Sequence, residues 1–386
     1  MGRNVIPAQR RQPGGSSTVG AFCAVRLVSG RDRGGMERPL AIFRANEMRE
    51  PGRSGSAMRR RAAGDGPDRL VRVGPNAFVR GAEWDAAGAR RRYVTRVYAR
   101  LGRRSAAAVA SHASAAAIHG LPWLGPWPED VHLTVPKSQY RARTVSLALH
   151  TRPITSDDIV RHEGLSVTSL SRTVADIALT GDIRQTVMVA DAALRRGVTK
   201  RQLTRSLNGL PHHRGRLAAS LSIELADGRS GSPAESLARV VFRELNLPSA
   251  VLQQEFVVRG HRYAVDFWFP EQGVVIEIDG RAKYTDAAFR NGRTPDQVFI
   301  DEKRRHEDLL TVPGVRTVVR LEWRDLFDLD ALTGRLRAAG LPCPARPVHS
   351  ARDVAGRTPT PTPAPSGRIG ASSGRVSGPS GGRSGR

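Results

Sequence analysis

The chain has 386 residues, which is enough for two or three domains with cores of their own, and it carries a formal net charge of +25. No apolar run approaches the roughly 20 residues that a membrane span needs, so we exclude an integral membrane protein and expect a cytoplasmic location. The two cysteines, Cys23 and Cys343, exclude both a zinc–cysteine cluster and a disulfide framework.

Most of the positive charge is arginine, since only four residues are lysine. A GC-rich genome supplies arginine through codon bias, so we discount part of the charge as evidence for nucleic-acid binding. Residues 231–341 hold 16 basic and 17 acidic side chains, whereas residues 66–230 hold 25 and 13. A nucleic acid bound by the neutral segment therefore needs cations from the segment before it.

Both ends of the chain are predicted to be disordered. Residues 1–65 are rich in Arg, Gly, Ser and Pro and show no sustained apolar period, and residues 342–386 run through Thr-Pro repeats into Gly, Ser and Arg. This leaves 66–230 and 231–341 as the folded segments, with a linker-like boundary at Asp227–Pro233.

Residues 66–230 are predicted to form a mixed α/β domain that is mainly helical. In chain order the patterns indicate a helix at Arg90–Leu101, an alanine-rich helix at Ala106–His119 that ends at Gly120, short strands at Val131–Val135 and Val145–His150, and helices through most of 169–231.

The helix at Arg90–Leu101 is the densest basic candidate for contact with DNA. Its apolar residues recur at helical spacing and form one stripe, which leaves Arg91, Arg92 and Arg96 on the other faces. These arginines can bind phosphate, but packing of the stripe beneath a solvated arginine-rich surface explains the same pattern.

Histidines are frequent in the same domain. Their spacings fit no standard set of metal ligands, and we interpret them as scattered side chains that are hydrogen-bonded or exposed. They are His112, His119, His132, His150 and His162.

Residues 231–341 are predicted to form an αβββαβα domain. A helix at Ala234–Asn246 begins after Ser232 and Pro233, which suit the cap and the first turn. A loop is expected at Thr285–Phe299. The remaining elements are strands at Val251–Val258, Tyr263–Phe269 and Gly273–Asp279, a helix at Asp301–Leu310, a strand at Val315–Leu321 and a helix at Asp325–Ala339.

Acidic residues on two of these strands form the candidate site. Because side chains alternate along a strand, Glu277 and Asp279 share a face, and an adjacent antiparallel strand can bring Asp266 beside Glu277. Clustered carboxylate oxygens are ligands that Mg²⁺ prefers, and Lys283 follows after the turn. The competing interpretation is the solvated face of an edge strand, with Gly280 beginning a turn.

Four stretches carry a family resemblance: Ser232–Ser236, Ala264–Phe267, Val275–Tyr284 and Glu302–Glu307. Through them, residues 232–340 resemble the very-short-patch-repair-like branch of the PD-(D/E)XK nuclease superfamily. The resemblance implies a restriction-endonuclease-like core in which Asp266 and Glu277 bind Mg²⁺ or Mn²⁺ and Glu235 is a supporting acid. The superfamily pattern has its lysine two residues after the second acid, where this chain has Asp279. Lys283 is therefore the candidate to act on the attacking water or on the developing phosphate charge.

More cations surround this site. Lys303, Arg304 and Arg305 begin the helix that follows it, and Arg281 precedes Lys283. Helical periodicity places Lys303 on one side with Glu307 and directs Arg304 and Arg305 outward. Contact with phosphate and a solvated helix surface with Glu–Lys pairs explain the pattern equally well.

Upstream, Ser111–Pro122, Val131–Pro136 and Ser171–Asp176 resemble the region that precedes such nuclease-like domains in bacterial proteins related to AbiEi-type abortive-infection antitoxins. A winged-helix module comes first in that architecture, and Leu70–Val79 matches its wing. The resemblance implies DNA as one partner and a toxin or another defence-system component as a second.

The combined hypothesis is a divalent-metal-dependent DNA endonuclease or nickase of repair or phage-defence type. Asp266 and Glu277 would hold the ion, Asp279 and Glu235 would assist, and Lys283 would act on water or phosphate. The alternative is a non-catalytic, antitoxin-like DNA-binding regulator that uses the nuclease fold as a scaffold, which Asp279 in the lysine position favours.

Overall fold

The computed structural model describes residues 38–44, 59, 62, 66, 69–101, 108–137, 146–279 and 295–343. In these residues the chain forms ten α-helices and three sheets, so the fold is mixed α/β as predicted. None of these helices combines the length with the apolar character that crossing a membrane requires. Most of the head and of the tail, for which the composition predicts disorder, lies outside the described residues.

The first sheet is small and antiparallel, with its strands in the order β1-β3-β2. β2 and β3 pair antiparallel as a hairpin, which spans the wing-like segment. The elements of this part are β1 (Phe43–Arg44), β2 (Leu70–Gly74), β3 (Ala77–Arg80), α1 (Gly81–Ala86) and α2 (Ala89–Leu101).

Part of the head is ordered, which corrects the prediction of disorder for residues 1–65. β1 pairs with β3, and Leu40 is only 5% exposed. The backbone N–H of Leu40 donates to Thr95 Oγ1 at 3.0 Å. Composition averaged over 65 residues conceals an apolar segment as short as this one.

The second sheet has five strands in the order β6-β5-β4-β8-β7 and mixes parallel with antiparallel pairs. Two of its strands, β7 and β8, were not predicted. The elements are β4 (Val109–Ala110), α3 (His112–His119), β5 (Val131–Thr134), β6 (Leu147–His150), β7 (Ile159–His162) and β8 (Leu165–Thr168).

The predicted helix at Ala106–His119 is wrong in its first half. β4 lies there, and α3 begins only at His112. Alanine favours a helix locally, but β4 pairs with β5 and with β8, and these tertiary contacts outweigh the propensity. Gly120 ends α3 in the left-handed conformation, with a φ of 68°, as predicted.

Four helices follow, in agreement with the helical prediction for 169–231. Side chains at three N-caps, Ser169, Asp182 and Thr199, accept a backbone N–H from the first turn of the helix that each precedes. The helices bury a common core of alanine, valine and leucine side chains. They are α4 (Leu170–Thr180), α5 (Ile183–Arg195), α6 (Lys200–Asn208) and α7 (Arg216–Leu225).

The C-terminal part has the predicted αβββαβα order. Its sheet has the order β12-β11-β10-β9, in which β11 and β12 are parallel and the other pairs are antiparallel. The elements are α8 (Pro233–Glu244), β9 (Val251–Val258), β10 (His261–Phe269), β11 (Val274–Asp279), α9 (Pro295–Leu310), β12 (Thr317–Glu322), a 3₁₀ helix (Trp323–Phe327) and α10 (Leu329–Ala338).

Helices cover both faces of this four-stranded sheet. On one face, side chains of α8 and α10 pack with alternate residues of the strands, including Phe267 and Ile276. On the other face, Leu309 of α9 packs with Val265 and Val275. Val275 and Ile276 are adjacent in β11, so the alternation of side chains along this strand places two apolar layers on opposite sides of the sheet.

Three boundaries differ from the sequence predictions. α9 begins at Pro295, so the loop predicted at Thr285–Phe299 is wrong for its last five residues, and its first ten lie outside the described residues. A 3₁₀ helix precedes α10 where one continuous helix is predicted. Cys343, which the composition assigns to the tail, is partly buried against the core of the C-terminal part.

The junction between the two parts is not a free linker. Asp191 of α5 is fully buried, accepts the backbone N–H of Asp227 at 2.7 Å and pairs with Arg239 of α8 at 2.6 Å. Arg184 and Glu244 form a second ion pair between the same helices, at 2.5 Å. The segment predicted as a linker at Asp227–Pro233 is therefore held between two packed helices.

Candidate active site

Strand pairing brings the predicted acids to neighbouring positions. β10 and β11 pair with Phe267 opposite Ile276, and this register continued by one residue sets Asp266 opposite Glu277. On the other side of β11, Glu277 pairs with Arg320 and Asp279 with Glu322 in β12. The acids thus lie at the carboxyl end of β11, on the edge of the sheet where β11 and β12 both end.

Asp266 is held by two hydrogen bonds. Its Oδ2 accepts the backbone N–H of Ile278 at 2.8 Å, and its Oδ1 accepts the side-chain amide of Gln253 at 3.1 Å. The N–H of Ile278 comes from β11, so the strand that carries Glu277 also orients Asp266. Hydrogen bonds of this kind favour the charged carboxylate.

Gln253 joins two carboxylates and was not predicted from the sequence. Its Nε2 donates to Asp266 Oδ1 at 3.1 Å and to Glu235 Oε2 at 2.9 Å. Gln253 has a φ of 52°, and the pairing of β9 with β10 leaves Gln253 and Asp266 out of the ladder. This irregular backbone, which a residue other than glycine rarely adopts, turns the amide toward the acids.

Glu235 lies in the first turn of α8 and is 8% exposed. Its own N–H donates to the cap Ser232 at 3.2 Å, and its Oε2 accepts the N–H of Gly231 at 2.6 Å. Burial and then the charge of Asp266 raise the pKa of Glu235 to about 7, against the lowering effect of the N–H of Gly231. Glu235 can therefore take up or release a proton near neutral pH.

The negative charge of the Glu277 carboxylate is compensated by arginine side chains. It is 8% exposed, and its Oε1 accepts from Arg305 Nε at 2.8 Å and from Arg305 Nη2 at 2.5 Å. Arg320 Nε lies 3.7 Å from the other oxygen. Arg305 also donates to the carbonyl of Ala264, at 2.5 Å. The prediction that Arg305 points outward is therefore wrong, because a buried carboxylate on the sheet attracts it inward.

The other cations that the sequence predicts around this site are either exposed or lie outside the described residues. Lys303 is exposed and lies 4.0 Å from Glu307, as the helical spacing predicts, and Arg304 is exposed as well. Arg281 and Lys283 lie outside the described residues. Asp279 is the last residue of β11 and is partly buried.

Two of the three arginines that the sequence predicts to contact DNA from α2, Arg92 and Arg96, interact with neighbouring groups of the protein. Arg92 donates to the carbonyl oxygens of Trp84 and Asp85, at 2.7 Å each. Arg96 lies over the ring of Tyr93, with 5.5 Å between the guanidinium carbon and the ring centroid. Arg91 is exposed. The apolar stripe of this helix is buried, as predicted.

Two of the predicted acids lie close enough to share one hydrogen-bond donor. Glu235 and Asp266 place two carboxylate oxygens within 3.1 Å of a single nitrogen, Gln253 Nε2, so a small donor already lies between them. A divalent ion would supply the positive charge that the amide lacks and would relieve the repulsion between the two acids. Arg305 occupies Oε1 of Glu277, so an ion at that oxygen would compete with Arg305, whereas among the described residues Oε2 has only one cation near it, Arg320 Nε at 3.7 Å.

Three histidines converge elsewhere in the structure, and the interpretation of them as scattered is wrong. One ring nitrogen each from His112, His132 and His150 lies within 4.8 Å of the others. β5 and β6 are parallel neighbours, which brings the second and third together, and α3 begins with the first. Spacing alone could not reveal this, because the register of β5 and β6 sets the contact. His119, in contrast, is hydrogen-bonded as predicted, with Nε2 at 2.7 Å from the carbonyl of Thr168.

Burial keeps these three imidazoles neutral. It lowers the pKa of His150 to about 4, and the proximity of His132 and the positive charge of Arg152 add to the effect. Burial also lowers the pKa of His132 and, well below its ordinary value, that of His112.

Comparisons with known proteins identify no family. No family model matches the sequence, and no curated protein matches it. A solved structure, the crystal structure of the RV2827C protein from Mycobacterium tuberculosis, is similar at 16% identity over 50% of this chain and 73% of that chain. The TM-score of 0.28 is too low for this similarity to support an argument about fold or function.

Proposed function

We propose that the carboxylate site of the C-terminal part hydrolyses phosphodiester bonds in DNA with the help of Mg²⁺ or Mn²⁺, as an endonuclease or nickase. The observation that supports this most strongly is the shared amide of Gln253, which holds Glu235 and Asp266 together beside the strand that carries Glu277. A buried acid, Glu235, held this close to a second, partly buried acid, Asp266, is costly for stability alone, and such arrangements are typical of catalytic sites.

Each side chain has a distinct role in this proposal. Asp266 and Glu277 would hold the ion, and Asp279, the last residue of β11, would assist. A divalent ion bound there would stabilise negative charge on the phosphate and lower the pKa of water. Glu235 would accept a proton from the attacking water, because burial raises its pKa to about 7. Lys283 orients water or stabilises the charge on phosphate.

DNA is expected to be held by cations outside the acidic site. Lys303 and Arg304 are exposed on α9, the helix whose Arg305 contacts Glu277. Arg91 is exposed on α2 in the other part of the chain. Contacts from such side chains to phosphate position a duplex without reading its sequence.

A second candidate function is favoured by the ion pair between Arg305 and Glu277. An arginine that neutralises this acid makes a metal ion unnecessary for stability, and Asp279 replaces the lysine of the superfamily pattern. In that case the protein is a non-catalytic DNA-binding regulator of antitoxin type, with a toxin or another defence-system component as its partner.

Cleavage of supercoiled plasmid by the purified full-length protein separates the two functions. The catalytic proposal expects nicked or linear DNA with Mg²⁺ or Mn²⁺, none with a chelator, and loss of at least about 100-fold in rate for Asp266→Asn and Glu277→Gln. Glu271→Gln is the matched control, since Glu271 is exposed in the turn before β11. Binding of DNA without any cleavage, or cleavage that survives Asp266→Asn, would support the regulator instead.

A further inference from the structure

The cluster of His112, His132 and His150 has no role in the carboxylate chemistry, since it lies on α3, β5 and β6 of the first part of the chain. We propose that these three histidines form a binding site for a transition-metal ion such as Zn²⁺, with the fourth position open to a cleft.

The distances are close to those of a zinc site. The Nδ1 of His132 lies 3.2 Å from the Nε2 of His150. Ligand nitrogens at the usual Zn–N distance of about 2.0–2.1 Å in a tetrahedral site are roughly 3.3–3.4 Å apart. The ring of His112 stacks on that of His150, with centroids 3.7 Å apart. The ring nitrogens of all three residues lie within 4.8 Å of one another, and binding of a common ion requires the nearly parallel rings of His112 and His150 to turn toward it.

His112 has one ring nitrogen that no hydrogen bond among the described residues satisfies. Its side chain is 3% exposed, and its buried Nε2 has no hydrogen-bond partner among the described residues. Its Nδ1 lies 3.0 Å from Ser111 Oγ. When the hydroxyl accepts from Nδ1–H, the lone pair of Nε2 points away from Ser111 and is free to bind metal. The hydrogen bond between His132 and His150 accounts for the close approach of those two rings, but it leaves Nε2 of His112 without a partner in the described part of the chain.

The chemistry of the donors selects the type of ion. Imidazole nitrogen suits Zn²⁺, Ni²⁺ and Cu²⁺, whereas Mg²⁺ prefers the oxygens of the carboxylate site. The two sites of this chain therefore differ in the ions that they take.

The site is open on one side. A cleft of about 320 Å³ is lined by the three histidines together with Trp123 and Asp182. Asp182 caps α5, and its carboxylate accepts the N–H of Gln185 at 2.7 Å. Asp182 is not one of the residues whose ligand atoms converge within 4.8 Å, so the three histidines are the protein ligands, and water or a small ligand from the cleft would complete the coordination. Three protein ligands with an open position are typical of zinc sites that act on a ligand.

Metal titration of tag-free, chelator-treated full-length protein tests the proposal. We expect one Zn²⁺ per chain by calorimetry and elemental analysis, and a visible absorption band with Co²⁺ that indicates tetrahedral nitrogen ligands. His150→Gln and His132→Asn are expected to weaken Zn²⁺ binding by more than the roughly 10–100-fold that loss of a supporting group costs. Both side chains are partly exposed, so these variants are expected to fold.

A control variant makes the result specific. His261→Gln alters an exposed histidine of β10 and should bind Zn²⁺ as the wild type does. Circular dichroism of each metal-free variant confirms its fold, and Zn²⁺ should raise the melting temperature of the wild type but not of His150→Gln. Failure to bind stoichiometric Zn²⁺ or Co²⁺, or binding that His150→Gln and His132→Asn leave unchanged, overturns the proposal.

Discussion

Arg305 holds Glu277 with two nitrogens on the same carboxylate oxygen, Nε at 2.8 Å and Nη2 at 2.5 Å. The acid that is expected to bind metal is thus already paired with a cation from α9. A guanidinium and a divalent ion cannot both use that oxygen without competition, so Arg305 controls how available Glu277 is.

Replacing Arg305 by glutamine should therefore strengthen metal binding while it weakens the fold. We expect Arg305→Gln to bind Mn²⁺ more tightly than the wild type in calorimetry. It should lower the free energy of unfolding by about 1–3 kcal/mol in urea, because Glu277 loses charge-assisted hydrogen bonds. The control is Arg262→Gln, which removes an exposed pair with Glu255 and should cost at most about 1 kcal/mol. Weaker Mn²⁺ binding in Arg305→Gln would contradict competition for Glu277.

The raised pKa of Glu235 predicts a loss of stability with rising pH. The pKa increases from 4.5 in the unfolded chain to about 7 in the folded one, so the folded state holds the proton more tightly. The stability that this proton contributes is fully present below pH 4.5 and is lost as the pH rises through 7, by up to about 3 kcal/mol. Urea unfolding from pH 4.5 to 8 should show this decline for the wild type relative to Glu235→Gln, whereas Glu271→Gln should follow the wild type.

Asp266 and Glu235 should be energetically coupled. Removing the charge of Asp266 lowers the pKa of Glu235, since that charge is one cause of the increase. In a double-mutant cycle with Asp266→Asn and Glu235→Gln, we expect a coupling energy of about 0.5–3 kcal/mol at pH 8 that decreases toward pH 5. The same cycle with Asp330→Asn, an exposed acid of α10, should be additive. Additivity of the first pair at pH 8 would show that the two carboxylates do not interact.

The junction between the two parts should depend on Asp191. Asp191→Ala leaves Arg239 without its carboxylate partner and the N–H of Asp227 without its acceptor, in a buried place. We expect a loss of about 3–5 kcal/mol and separate unfolding transitions for the two parts in calorimetry. Glu255→Ala, which removes one partner of an exposed ion pair, is the control and should keep the transition pattern of the wild type. A single transition after Asp191→Ala would show that other contacts suffice.

Local patterns predicted the elements of the C-terminal part well. Alternation gave β9, β10 and β11 within two residues, and Ser232 with Pro233 marked the start of α8. These patterns involve only residues that are close in sequence, so the elements can be predicted without knowledge of the tertiary fold. In contrast, β4 is two residues long and exists only because two other strands pair with it.

The chemistry of the candidate site was predictable only in part. Side-chain alternation indicated that Glu277 lies near Asp266, but nothing local showed that Gln253 joins Asp266 to Glu235 or that Arg305 turns inward. These contacts depend on an irregular strand position and on the docking of a helix, which are set by pairing between distant segments. The cluster of His112, His132 and His150 depends on strand register in the same way.

The N–H of Gly231 belongs to the junction between the two parts of the chain, yet it donates to Glu235 at 2.6 Å. The backbone that connects the two parts therefore also contributes a hydrogen-bond donor to the acidic site. This N–H lowers the pKa of Glu235, so the position of the junction affects the proton affinity of the carboxylate. The protonation state of one carboxylate therefore depends on how the backbone is arranged where the two parts of the protein meet.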